Sequence, residues 1–162
     1  MSKIKALVMD VDGTLTDGKI YIGDNGELMK AFNAKDGYGI KDILSKYNVL
    51  PVIVTGRSSK IVKKRCDELG ITHLFQGIKD KVACLADFLK KQQLSFEEIA
   101  YIGDDDNDLP AMGKSRLVGC PNDSSEAVKS IAQFISTKSG GNGAVREFIE
   151  WLVANGYFTR RS

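Results

Sequence analysis

Short, compact apolar runs recur along this chain, separated by longer amphipathic stretches, and this alternation constrains the fold more than any other feature. Residues 4–9, 49–54 and 100–102 are compact apolar runs, with weaker ones at 117–119 and 134–135. A strand that is apolar on both faces has to be covered on both faces, as in a parallel sheet between helices. Helical spacing of apolar residues is read near 37–47, 60–69, 79–92 and 124–130, and a last helix over 143–155 closes the chain. The expected fold class is α/β, a mainly parallel sheet flanked by helices. One segment breaks the alternation. Residues 20–22 and 27–32 are strand-like, and Asp24-Asn25-Gly26 between them is a hairpin turn signal. A β-hairpin is therefore expected to project directly after the first strand, as a lid or an interface.

Composition matters mainly for what it excludes. The 162 residues suffice for one domain with its own core, and residues 1–162 are read as that single domain. A formal net charge of +2 gives no ground for a nucleic-acid or membrane partner. Cys66, Cys84 and Cys120 are far apart, lack metal-ligand spacing, and are expected as reduced thiols in a cytoplasmic protein. No apolar signal region opens the sequence and no run reaches the length of a membrane span.

Chemistry concentrates where the apolar runs end. Asp10 and Asp12 follow the first run and precede Gly13-Thr14. Side chains two apart in extended backbone point the same way, so both carboxylates can face one pocket beyond the strand ends. Asp and Gly also form ordinary solvated turns, and this cluster alone decides nothing. A second cluster, Asp104, Asp105 and Asp108, follows the run 100–102 after a single glycine. If the two runs are neighbouring strands, the carboxylates crowd one edge and repel unless a hard cation binds among them. Mg²⁺ suits oxygen ligands and keeps positions for water or phosphate. An acidic helix start would account for one or two of these aspartates, but not for both clusters. Thr55-Gly56 ends the second run, offering a hydroxyl and a backbone amide, and Lys81 opens a helical stretch. Singly, Thr55 reads as a helix cap and Lys81 as a surface lysine.

Together, Asp10-Val11-Asp12-Gly13-Thr14, Thr55-Gly56, Lys81, and Gly103-Asp104-Asp105 with Asp108 resemble the four motifs of the haloacid dehalogenase superfamily. The resemblance implies a Rossmann-like fold with Asp10 as nucleophile, Asp12 as acid and base, and Thr55 and Lys81 stabilising the phosphoryl group. It implies Mg²⁺ held by Asp10, the Asp12 backbone carbonyl and Asp104, with Asp105 and Asp108 behind them. Thr55 follows Asp12 by 43 residues and Lys81 follows Thr55 by 26, leaving no room for a cap domain. The hairpin, the stretch from Phe32 to Gly39, and Gly140-Gly141-Asn142-Gly143-Ala144-Val145-Arg146-Glu147 resemble the capless subgroup that includes 3-deoxy-D-manno-octulosonate (KDO) 8-phosphate phosphatases. That family often carries a basic residue where Asn142 stands.

The same resemblance implies lipopolysaccharide biosynthesis and a homotetramer whose subunits cover each other's sites. A sugar-acid phosphate carries a carboxylate as well as a phosphate, so its pocket needs cations besides Lys81. Lys35, Lys41, Arg57 and Arg65 are the candidates, with Asp12, Asn33, Gly37 and Gly56 as further substrate contacts. Arg57 leans toward the eight-carbon acid, since some phosphatases of nine-carbon keto-deoxy acids carry an acidic residue there. Two rivals keep the residues and drop the chemistry: an assembly module related to those attached to sugar-nucleotide synthetases, and an acidic cation-binding module. His73 and Trp151 are read as structural.

Overall fold

The computed structural model describes residues 3–162. A six-stranded parallel sheet is built from β1 (Ala6–Met9), β4 (Leu50–Val54), β5 (His73–Phe75), β6 (Ile99–Ile102), β7 (Leu117–Cys120) and β8 (Phe134–Ile135). The strand order is β5-β4-β1-β6-β7-β8. Strands β2 (Tyr21–Gly23) and β3 (Gly26–Met29) form a separate antiparallel hairpin.

Alternate residues of β1 explain why its run is unbroken. Leu7 and Met9 join a core with Ile53 and Ile102, covered by α2 (Lys60–Leu69) and α6 (Ala144–Ala154). Ala6 and Val8 face the other way, into a core with Val52 and Tyr101 under α3 (Lys81–Gln92). Side chains alternate across a strand, so a central strand has to be apolar at every position. All four β1 residues are fully buried.

The expected helices are present, with one revised. The stretch read as a helix over 37–47 begins at α1 (Ala34–Tyr38), capped by Asn33, whose side chain accepts from the Lys35 amide at 2.8 Å. It then widens into a π-turn over Gly39–Ile43 and tightens into a 3₁₀ turn over Leu44–Lys46. Two short helices, α4 (Leu109–Met112) and α5 (Glu126–Ile131), complete the second layer, and α4 had no signal of its own length. The hairpin turns at Asp24-Asn25 as the sequence indicates, but β3 ends at Met29 and carries a register shift opposite Tyr21 and Ile22.

The order of strands places the site. The chain runs from β1 to β4 on one side and returns to β6 on the other, so β1 lies at the switch point. Met9 pairs with Ile53 and with Ile102. The residues after these three strands therefore emerge along one edge. Residues 159–161 lie at the opposite end, where Thr159 O accepts from Asn48 N and Arg161 N donates to Lys46 O. Among the described residues, no helix is long and apolar enough to cross a membrane.

Candidate active site

Asp10 leaves β1 with its amide donating to Ile102 O at 3.1 Å, which ties the first acidic motif to β6. The next turn is wound around the Val11 carbonyl, which accepts from the amides of Thr14, Leu15 and Thr16. Gly13 has φ +88°, and a Cβ there would stand 2.0 Å from Asp104 Oδ2. Glycine is thus required both by the turn and by the close approach of the second acidic cluster. Thr14 Oγ1 donates to Asp104 Oδ1 at 3.0 Å, joining the clusters directly. From the far end of the chain, Gly141 N donates to Thr14 O, and a Cβ on Gly140 would lie 1.9 Å from Gly13 O. The glycine pair therefore braces the turn from behind. Asn142 Nδ2 donates to Ser139 Oγ and Gly140 O, so it serves that brace.

Carboxylate oxygens of Asp10, Asp104 and Asp108 lie within 4.8 Å of one another. Lys81, 4% exposed, donates to Asp10 Oδ1 at 3.1 Å and to Asp108 Oδ1 at 2.7 Å. Asp108 also accepts from Tyr101 OH at 2.7 Å and from the amides of Asp104 and Asp105. Its oxygens are taken, so Asp10 and Asp104 are the carboxylates free to hold an ion, while Asp108 anchors the lysine. Asp105 caps the 3₁₀ turn over Asp106–Asp108 through the Asp106 amide. Thr55 is buried at the end of β4 and is fixed through its amide to Phe75 O.

The electrostatics call for a cation. Burial, then repulsion from Asp108, pushes the Asp10 carboxyl up; burial and then Asp10 do the same for Asp104. Burial alone would lower Lys81, but Asp10 and Asp108 outweigh it and hold its pKa above the ordinary value. At the floor, the three carboxyl groups of Asp10, Asp104 and Asp108 share the single ammonium of Lys81. Carboxyl groups are in excess there, and a divalent ion with oxygen ligands fits both the charge and the donor set.

A hollow of about 200 Å³ lies above this floor, lined by Asp10, Asp12, Thr55, Gly56, Arg57, Asp104, Asp105 and Asn107. The structure thus brings together the four motifs and Arg57. The other expected substrate residues lie apart from it. Gly37, Lys41 and Arg65 line a separate hollow of about 620 Å³ beside Tyr38, and Lys35 lines a third with Arg146. Arg65 stacks on Phe32 and bonds Glu68, while Asn33 is occupied as the α1 cap. His73 packs edge-on against Phe88, and Trp151 sits among Phe134, Phe148 and Tyr157, as structural residues do. Sequence reasoning missed Lys30 and Tyr101. Tyr101 alternates correctly for a strand and gave no sign that its hydroxyl ends at a carboxylate. Lys30 falls inside the strand-like stretch, and a charge interrupting an apolar run was the available signal.

Residues 73–149 match the family of haloacid dehalogenase-like hydrolases. Over 150 residues the chain is 44% identical to a KDO 8-phosphate phosphatase from Escherichia coli (strain K12), covering 93% of this chain and 79% of the relative. The chain belongs to the haloacid dehalogenase-like hydrolases. The family's fold agrees at the level of coordinates. A crystal structure of KDO 8-phosphate phosphatase from Moraxella catarrhalis, in complex with magnesium, phosphate and KDO, superposes with a TM-score of 0.88 at 40% identity. It covers 93% of this chain and 86% of that one. The cobalt-bound phosphatase of Haemophilus influenzae gives 0.90 at 37% identity, over 95% and 90%. Membership of the family accounts for the order of the four motifs along this chain.

Proposed function

We propose that this chain is a Mg²⁺-dependent phosphomonoester hydrolase acting on KDO 8-phosphate to give the free sugar acid and phosphate. The observation that carries the reading is the convergence of Asp10 and Asp104, 94 residues apart, in one crevice with Lys81. The solved relative with magnesium, phosphate and KDO supports the metal and the substrate class.

Asp10, Asp104 and the Asp12 backbone carbonyl would hold the ion. When bound, Mg²⁺ neutralises charge on the phosphoryl oxygens. Asp10 attacks phosphorus, the bond to the sugar oxygen breaks, and Asp12 gives that oxygen its proton. A water then attacks the aspartyl phosphate, Asp12 takes the water's proton, and the Asp10 carboxylate is released with inorganic phosphate. Lys81 and Thr55 hold the transferring group, and Asp108 holds Lys81. Arg57 lines the pocket and suits a carboxylate, whose two oxygens its planar fork can bind. A basic residue just after Thr55-Gly56 also leans toward the eight-carbon acid over a nine-carbon one. A purely structural module would gain nothing from burying Lys81 between two aspartates, since such pairs seldom raise stability.

Residues 1–162 are read as one catalytic domain, cytoplasmic and homotetrameric. Ile20, Ile22, Leu28 and Met29 expose 42–68% of their surface on the hairpin, which suits packing against other copies. Lys35, Lys41 and Arg65, which line hollows other than the one above Asp10, would then serve a neighbouring protomer's substrate. Asp10→Asn should lower phosphate release from KDO 8-phosphate by about 10³-fold or more with the fold unchanged. Unchanged turnover would remove the nucleophile and the reading with it. Arg57→Ala should raise KM for the sugar-acid phosphate far more than for p-nitrophenyl phosphate; equal changes would remove its carboxylate role.

A further inference from the structure

Lys30 stands one residue past β3, and its side chain is only 2% exposed. Its ammonium donates to Asp12 Oδ1 at 2.6 Å and lies 3.2 Å from Glu27 Oε2. Glu27 in turn accepts from the hydroxyl of Ser59, the residue that caps α2. A buried lysine is costly unless paired, and this one is paired on both sides. The chain of contacts runs from the helix start, through the hairpin, to the turn after β1. The Asp12 side chain is 21% exposed and lines the open hollow, so its rotamer is not fixed by burial alone.

We propose that Lys30 is the positioning residue of Asp12, so that the hairpin belongs to the catalytic apparatus as well as to any subunit contact. The proposal rests on the reading of Asp12 as acid and base. Gripped at Oδ1, the carboxyl keeps Oδ2 for the leaving oxygen and, later, for the attacking water. Proton transfer needs the heavy atoms within about 2.6–3.2 Å, and a misplacement near 1 Å costs on the order of 10²-fold. Among the described residues, the polar partners of the Lys30 ammonium are Asp12 and Glu27, of which only Asp12 lines the phosphoryl hollow.

The test compares two esters in the full chain with Mg²⁺. Nitrophenolate leaves p-nitrophenyl phosphate without needing a proton, whereas the alkoxide of KDO 8-phosphate needs one. In Lys30→Met, kcat/KM for KDO 8-phosphate should fall about 10- to 100-fold further than for p-nitrophenyl phosphate, because only the first ester relies on a placed acid. KM for KDO 8-phosphate should stay within about twofold where the first step limits turnover. Nitrophenolate should appear in a burst near one equivalent per site, since the second half-reaction still needs Asp12 as base. Equal falls on both esters without a burst, or a raised KM with kcat unchanged, would overturn the proposal. If Lys30→Met does not fold, Glu27→Gln takes its place: it removes one anchor of Lys30 and should shift the same ratio several-fold, and an unchanged ratio overturns the proposal. A wild-type chain that hydrolyses neither ester would sink the functional reading first. An active wild type whose variants keep the ratio would sink only the role of Lys30.

Discussion

At the carboxyl ends of β1 and β6, charged side chains lie almost dry and each is held by another, while on the adjacent hairpin apolar side chains face water. Asp10, Lys81 and Asp108 are 6%, 4% and 0% exposed; Ile22 and Leu28 are each 68% exposed. Both arrangements cost free energy in an isolated chain, one through desolvated charge and the other through wetted hydrocarbon. The difference lies in where the compensation comes from. The floor is compensated inside the chain, by the net of Lys81, Tyr101 and backbone amides, with carboxyl groups in excess that a cation can meet. The hairpin has no compensation of its own at Ile22 and Leu28, although its inner side supplies Lys30 and Glu27 to the site. A region finished within the monomer should fail through stability and chemistry together, and a region that awaits a partner should fail through assembly.

The largest effect is expected at the floor. Lys81→Met leaves the Asp108 carboxylate buried with its cation gone, and breaking one side of such a pair costs about 3–5 kcal/mol. Chemical denaturation should show that loss, and phosphate release should fall with it. A variant with wild-type stability would mean that the buried net is not what holds the floor together. Gly13→Ala comes next. It puts a side chain at φ +88° and directly on Asp104 Oδ2. The backbone strain alone costs about 1–2 kcal/mol, and displacement of Asp104 should raise the Mg²⁺ concentration for half-maximal activity by about tenfold or more, by analogy with the loss of ligand positioning. A Mg²⁺ titration of phosphate release that overlays the wild type would show that the turn and the ion are independent.

On the hairpin the signs reverse. Ile22→Lys with Leu28→Asp touches no core residue, so the monomer's stability should change by no more than about 0.5 kcal/mol per site. If copies meet on this face as proposed, mass in solution should drop to smaller species. Light scattering that shows the same mass in both proteins would mean the exposed face is not where copies meet. If the mass drops while kcat on p-nitrophenyl phosphate survives, the floor is complete within one chain.

The same contrast decides what the sequence made legible. Asp10, Asp12, Thr55, Lys81 and Asp104 were readable because each lies within three residues of the end of a buried strand or opens a helix, and strand order carries all of them to one edge. Continuous burial made β1 and β6 plain, and the Asp24-Asn25-Gly26 signal made the hairpin plain. The break of the first helix into a π-turn was hidden, since apolar spacing over 37–47 continues smoothly while the packing of Gly39 against α6 sets the local winding. Lys35, Lys41 and Arg65 were chosen for charge and nearness to motifs in sequence, but which hollow a long side chain reaches is set by helix rotation. Lys30 and Tyr101 escaped for the complementary reason. Their polar ends act at a distance from backbone positions that look like ordinary strand.

A purely pH-dependent effect is expected at Glu147, whose carboxylate accepts from Ser136 and Thr137 just before the glycine brace of the first acidic turn. Burial would raise its carboxyl, yet hydrogen bonds from Ser136 and Thr137 outweigh burial and hold it below 4.5. A carboxyl lowered on folding contributes stability above its unfolded value, and that contribution disappears as the pH falls through the folded one. Glu147→Gln should therefore cost about 0.5–1.5 kcal/mol at pH 7, the net worth of a hydrogen bond. The gap between variant and wild type should close as the pH is taken below 4.5. Denaturation midpoints at pH 7 and at successive lower values measure it. A gap that stays constant with pH would assign the loss to packing of the brace rather than to the ionised carboxylate.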